Sequence, residues 1–144
     1  MRFTVLIENE SDVAGLHAEH GISLWVETAG TRVLFDTGAS PAFAENAERL
    51  GIDIARADML VLSHAHADHT GGLRTFLERN TTAPVYVGPG IDTPRYSVRG
   101  RSRRAIGMDP ALFETHRERF RVVADVLEAA PGIGISRVPE RPFP

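Results

Sequence analysis

One ten-residue stretch, Ser63-His64-Ala65-His66-Ala67-Asp68-His69-Thr70-Gly71-Gly72, constrains this chain more than any other. Three of the six histidines and a carboxylate fall within six consecutive positions there. The apolar run Met59-Leu60-Val61-Leu62 just before it reads as a buried strand, and Leu73-Arg74-Thr75-Phe76-Leu77-Glu78-Arg79 just after the two glycines reads as a helix. The polar cluster therefore stands where a core strand ends and the chain turns. There the backbone is fixed and the side chains are free to gather on a ligand.

Side chains at i and i+2 of an extended segment point the same way, so His64 and His66 can approach one metal ion together. Asp68 and His69 lie past the strand end and can face a second ion beside the first. The chain has no cysteine, so any metal must be held by nitrogen and oxygen alone. Imidazole and carboxylate suit Zn²⁺, with Fe or Mn²⁺ as other ions of the same donor set. Two such ions about 3.5–4 Å apart hold a bridging hydroxide as a ready nucleophile.

The rest of the chain supplies a framework for that loop. Phe3–Ile7, Ile22–Glu27 and Arg32–Phe35 read as strands, the last two as a hairpin around Ala29-Gly30. Ser40-Pro41 opens a helix that runs to Leu50 and stops at Gly51. Ile52–Ala57 is a connector, Pro84–Val87 a further strand, and Asp92–Gly107 a basic loop. Asp109-Pro110 opens a helix to about Glu118. Residues 120–127 fit helix or strand by periodicity, with valine favouring strand. Ile133–Val138 reads as a last strand before a tail containing Pro139, Pro142 and Pro144. Strands alternating with helices at 41–50 and 72–79 predict an α/β fold with a mixed sheet flanked by helices, and the 144 residues predict one domain. A net charge of −3 argues against nucleic acid as a partner. No apolar run approaches the ~20 residues of a membrane span, and acids follow the first strand at once, where a signal peptide would be apolar. The expectation is a cytoplasmic protein with a small-molecule substrate.

With those residues in view, the stretch from His64 to His69 resembles the H-x-H-x-D-H signature of the metallo-β-lactamase superfamily. Phe35-Asp36-Thr37-Gly38 resembles the aspartate motif that precedes it there. The opening segments Ile7-Glu8-Asn9-Glu10 and Ala18-Glu19-His20-Gly21-Ile22-Ser23 resemble one branch, the dihydropterin ribofuranosyl-aminobenzene phosphate synthase-like enzymes. The resemblance implies an αββα sandwich and a metal-dependent hydrolase acting on an ester or phosphoester-like bond. In the named branch it implies a transferase or synthase, with a phosphorylated substrate. It implies that His64 and His66 bind a first metal and Asp68 and His69 a second. Asp68 would also orient the attacking hydroxide, and Asp36 would hold the histidine loop from behind. Glu19 and His20 stand on the substrate side by this resemblance, whereas by their sequence surroundings they read as surface or capping residues.

The chain also departs from the family pattern. Members draw further ligands from a second half, and His116 is the only histidine after His69. The resemblance therefore predicts the N-terminal part of a longer domain. Truncation, completion of the site by self-association or a complementing chain, and a degenerate site with one metal or none all fit, and the proline-rich end favours truncation. His17 reads as structural or exposed. His116, among Glu114, Arg117, Glu118 and Arg119, reads as part of a solvated helix face. The run Arg95, Arg99, Arg101, Arg103, Arg104 reads as a charged loop, or as a clamp for an anionic substrate.

Overall fold

A computed structural model describes residues 1–28 and 30–137. Ala29 of the expected hairpin turn, Val138 of the last expected strand and the three tail prolines lie outside the described residues.

The first three strands, β1 (Arg2–Ile7), β2 (Ser23–Glu27) and β3 (Arg32–Phe35), form an antiparallel meander. Helix α1 (Ala42–Arg49) and a 3₁₀ turn at Ile54–Arg56 carry the chain to β4 (Met59–Val61), which pairs parallel to β3. A single helical turn, α2 (Ala67–Thr70), and then α3 (Leu73–Arg79) lead to β5 (Val85–Val87), parallel to β4. Next come the antiparallel arm β6 (Tyr96–Arg99) and β7 (Ser102–Ala105), α4 (Pro110–Thr115) and a 3₁₀ turn at Arg117–Arg119. Strand β8 (Phe120–Val122) completes a six-stranded mixed sheet in the order β1-β2-β3-β4-β5-β8. Strands β9 (Val126–Ala130) and β10 (Ile133–Ser136) form a separate hairpin.

Register explains which face is covered. Trp25 pairs with Leu34, Leu34 with Leu60, Leu60 with Val85 and Val85 with Phe120, so these five side chains form one row across the sheet. That row packs with Phe43 of α1 and Leu73, Phe76 and Leu77 of α3 in one core cluster, and Leu34, Phe43, Leu60, Leu73, Phe76 and Val85 have no exposed surface. The opposite face is apolar too. Val5, Leu24, Phe35, Val61 and Tyr86 are linked by the same registers. Among the described residues no helix covers them. Five of the six residues Val26, Val33, Phe35, Val61, Tyr86 and Ile133 come from the sheet, the last from β10, and all line a cleft of about 970 Å³ on this side. At the sheet edge Phe3 is 65% and Val5 41% exposed.

Three expectations change. Residues 96–105 are a hairpin rather than a loop, because backbone pairing from Tyr96↔Ala105 to Arg99↔Ser102 needs no buried face and so leaves no apolar alternation to read. The helix from Asp109 ends at Thr115. Arg119 leaves the expected solvated face and is buried. Its guanidinium donates to the carbonyls of Asn80 (2.6 Å) and Ala83 (2.7 Å), past the end of α3 and just before β5. Buried Asn80 donates in turn to Ala55 and Ala57 at 3.0 Å each. This polar knot replaces apolar packing where four segments meet. Among the described residues no helix is long and apolar enough to cross a membrane.

Candidate functional site

The site is assembled by two neighbouring parallel strands. Asp36 follows β3 and Ser63 follows β4, and the pairing of Phe35 with Val61 sets the two loops side by side. The loops are then laced together. Asp36 N–H donates to Val61 O (2.9 Å), Thr37 N–H to His69 O (2.8 Å) and Gly71 N–H to Gly38 O (2.9 Å). Two glycines allow the closeness: a Cβ on Gly71 would stand 2.0 Å from Ala39 O, and one on Gly72 2.4 Å from the Phe43 ring and from Thr37 O.

Asp36 is the hub. It has no exposed surface and takes φ of 55°, a left-handed conformation that aspartate tolerates better than most residues. Its Oδ1 accepts from Ser63 N–H at 2.8 Å. Its Oδ2 accepts from Ser63 Oγ–H at 2.6 Å and from His69 Nδ1–H at 2.7 Å. Ser23 Oγ–H donates to its carbonyl at 2.8 Å. A buried carboxylate thus has every oxygen occupied.

This network assigns the imidazole tautomers. Ser63 spends its one hydroxyl proton on Asp36, so it accepts from His64 Nδ1–H at 2.9 Å. His64 Nε2 is then a lone pair, 3.1 Å from His66 Nδ1. His69 donates through Nδ1 and turns Nε2 toward Asp68 Oδ2 at 3.4 Å, an approach that a proton or a cation between the two atoms makes favourable. The His64 and His69 rings lie 4.1 Å apart between centroids. Burial, and then the neighbouring His69 and His66 rings, hold His64 below the usual imidazole range, which keeps it neutral. His20, on an exposed loop, brings Nε2 to 3.4 Å from Asp68 Oδ2 and pairs Nδ1 with Asn9 Oδ1 at 3.0 Å.

His64, His66, Asp68, His69 and His20 therefore share one rim, with Asp36 beneath it. Imidazole nitrogens beside a carboxylate, held from behind by a buried aspartate, are the donor types that suit a Zn²⁺-like ion. Among the described residues, no three such side chains yet converge on a single metal-holding point. The other candidates lie apart. Glu19 Oε1 accepts from the N–H groups of Ala39 and Ser40 at 2.9 and 3.0 Å, tying the first loop to the entry of α1. His17 pairs with Glu45 at 2.8 Å, and His116 closes α4. Ser63 is the residue whose part sequence reasoning missed. Its position between an apolar strand and the first histidine was the available signal.

The metallo-beta-lactamase superfamily pattern matches residues 19–143. A 7,8-dihydropterin-6-methyl-4-(beta-D-ribofuranosyl)-aminobenzene-5'-phosphate synthase of Methanocaldococcus jannaschii is 31% identical over 139 residues, covering 85% of this chain and 46% of that protein. Among solved structures, a metal-dependent hydrolase of the beta-lactamase superfamily superposes with a TM-score of 0.62 at 27% identity, covering 89% of this chain and 44% of the other. A quorum-quenching N-acyl homoserine lactone hydrolase, at 18% identity and a TM-score of 0.56, shares the fold, with 79% of this chain and 49% of that one covered. The chain spans less than half the length of these relatives.

Proposed function

The chain belongs to the metallo-beta-lactamase superfamily, and from that premise we propose that its rim is the first-half portion of a metal-dependent hydrolytic site acting on an ester or phosphoester-like bond. His64, His66, Asp68 and His69 would hold the metal, zinc being the ion best matched to the donors. When bound, such an ion supplies Lewis acidity and lowers the pKa of water. The protein's own residues supply the rest. Asp36 fixes the His69 ring and, through Ser63, the His64 ring, so both present Nε2 to the rim. Asp68 accepts a proton from, or orients, an attacking water, and His20 stands within reach of its carboxylate. The observation that carries this reading is the gathering of His64, His66, Asp68 and His69 on one rim, with His69 Nε2 held 3.4 Å from Asp68 Oδ2.

Metal content tests it. After loading with zinc and desalting, His64→Ala and His66→Ala are expected to retain less metal per chain than the parent. Unchanged content sinks the ligand assignment.

A second reading, group transfer by a dihydropterin-type synthase on the same fold, is favoured by the 31% identity to such an enzyme. Turnover of a phosphodiester such as bis(p-nitrophenyl) phosphate supports hydrolysis. Consumption of a pterin diphosphate only when an aminobenzene acceptor is present supports transfer.

A further inference from the structure

The β6–β7 arm carries Arg99, Arg101, Arg103 and Arg104, with Arg95 at its foot. Its register places Ser97 opposite Arg104 and Arg99 opposite Ser102. Directly opposed residues share a face, as do residues two apart on one strand. Ser97, Arg99, Ser102 and Arg104 therefore present two guanidinium groups and two hydroxyls on one side. The other side holds Tyr96, with the Arg103 guanidinium 3.6 Å from its ring centroid. Among the described residues Arg95, Arg99, Arg101 and Arg104 have no ion-pair partner, and all four are exposed. Three unpaired cations on so short an arm, with a fourth at its foot, repel one another.

The foot of the arm is joined to the histidine loop. Ala67 N–H donates to Ile106 O at 2.8 Å, Met108 N–H to Ala65 O at 2.7 Å and Ile106 N–H to Arg95 O at 2.9 Å. Ala65 and Ala67 alternate with the two histidines of the loop, and His66 bridges Gly107. Arg95 and His64 line the same cleft. An anion seated on the arm is thereby held in a fixed relation to the rim.

We infer that this arm docks the phosphate group of a small phosphorylated substrate, whose reacting bond then lies at the histidine rim; this rests on reading the rim as the reaction site. Guanidinium forks match phosphate oxygens, and the flanking hydroxyls add donors beyond those a single carboxylate needs. Each arm strand has four residues, a span of roughly 13 Å at ~3.3 Å per residue, which matches one or two phosphates rather than a nucleic-acid track.

Calorimetric titration of the zinc-loaded chain with pyrophosphate tests the inference. Pyrophosphate is expected to bind, and the exposed double substitution Arg99→Gln/Arg104→Gln to weaken it by about tenfold or more. A parent chain that does not bind pyrophosphate, or a double variant that binds it as well as the parent, overturns the proposal. So does a single-stranded oligonucleotide that binds the arm more tightly than pyrophosphate does. Zinc retention by His64→Ala keeps the two readings apart. If it matches the parent while the double variant loses pyrophosphate, the rim assignment fails and the arm's anion docking stands. If zinc is lost and pyrophosphate is indifferent to the arginines, the arm alone fails.

Discussion

Asp36 Oδ2, on a carboxylate with no exposed surface, accepts a hydrogen bond from His69 Nδ1 at 2.7 Å across 33 positions of sequence. The bond turns a flexible imidazole into one with a fixed tautomer and a fixed direction. It also places a negative charge behind the rim without spending a rim position on it.

Asp36→Asn keeps the size of the side chain and tolerates the φ of 55°, so the loss it causes is electrostatic. The amide offers one acceptor oxygen for three donors and turns a donor toward one of them. We expect destabilisation of about 2–4 kcal/mol in urea unfolding and a broadened His69 ring signal by NMR. A change below ~0.5 kcal/mol, the range of neutral surface substitutions, would contradict the hub role.

Gly21→Ala should disturb the rim from outside it. Gly21 has φ of 133°, and a Cβ there would stand 2.0 Å from Asp68 O. The expected cost is about 2 kcal/mol or more, with weaker zinc retention as Asp68 is displaced. Parent-like melting together with parent-like zinc content would refute the contact.

The Asn80–Arg119 knot is a stability element remote from the chemistry. Asn80→Ala leaves the N–H groups of Thr82 and Ala83 without their acceptor and the Ala55 and Ala57 carbonyls without their donor, while the guanidinium loses one contact of several. A loss of about 2–3 kcal/mol is expected, with zinc content per folded chain unchanged. Arg119→Lys should recover little, because an ammonium cannot reach Asn80 O and Ala83 O as a planar fork does.

The apolar sheet face should bind a hydrophobic dye. Phe3 and Val5 are exposed at its edge, so anilinonaphthalene sulfonate is expected to brighten with the folded chain and to brighten less with Phe3→Ser/Val5→Thr. No fluorescence gain with the parent chain would show the face to be covered.

One pair gives a pH dependence away from the rim. Hydrogen bonds from Arg32 hold the Asp58 carboxyl below the usual carboxylate range. Its folded pKa is depressed, so the stability it adds is complete above its unfolded value of about 3.9. That stability is lost as pH falls through the lower folded value. Stability measured from pH 6 downward should fall less steeply below about pH 4 in Arg32→Met than in the parent. Identical slopes would remove the pair from the account.

The first strands, the hairpin of β2 and β3, a mixed sheet and the two motif loops were legible because burial imposes patterns on residues such as Leu34, Leu60 and Val85; the order and direction of the pairing were not. Asp36 and the histidine cluster were legible because each follows an apolar run that could only be a strand. The arm escaped notice because its strands bury nothing, and backbone pairing alone leaves no trace in residue type. The turn at Ala67–Thr70 escaped because one turn is too short for periodicity; it is made by His66 O accepting from the N–H groups of His69 and Thr70. Arg119 was misread because charge predicts exposure, and only the three-dimensional meeting of orphan carbonyls reveals a buried use for it. The ring orientations of His64 and His69 were beyond sequence altogether, since one follows from where the Ser63 proton goes and the other from the Asp36 carboxylate.

The pairing of Phe35 with Val61 has a further consequence. A strand pair shifts only in whole residues, each step moving one loop past the other by about 3.3 Å. The gap between the buried aspartate and the serine is therefore quantised, like the teeth of a ratchet. Substitutions in the loops that spare Asp36, Ser63 and the two glycines leave it intact, while a one-residue insertion within either strand would disengage the two halves of the site at once.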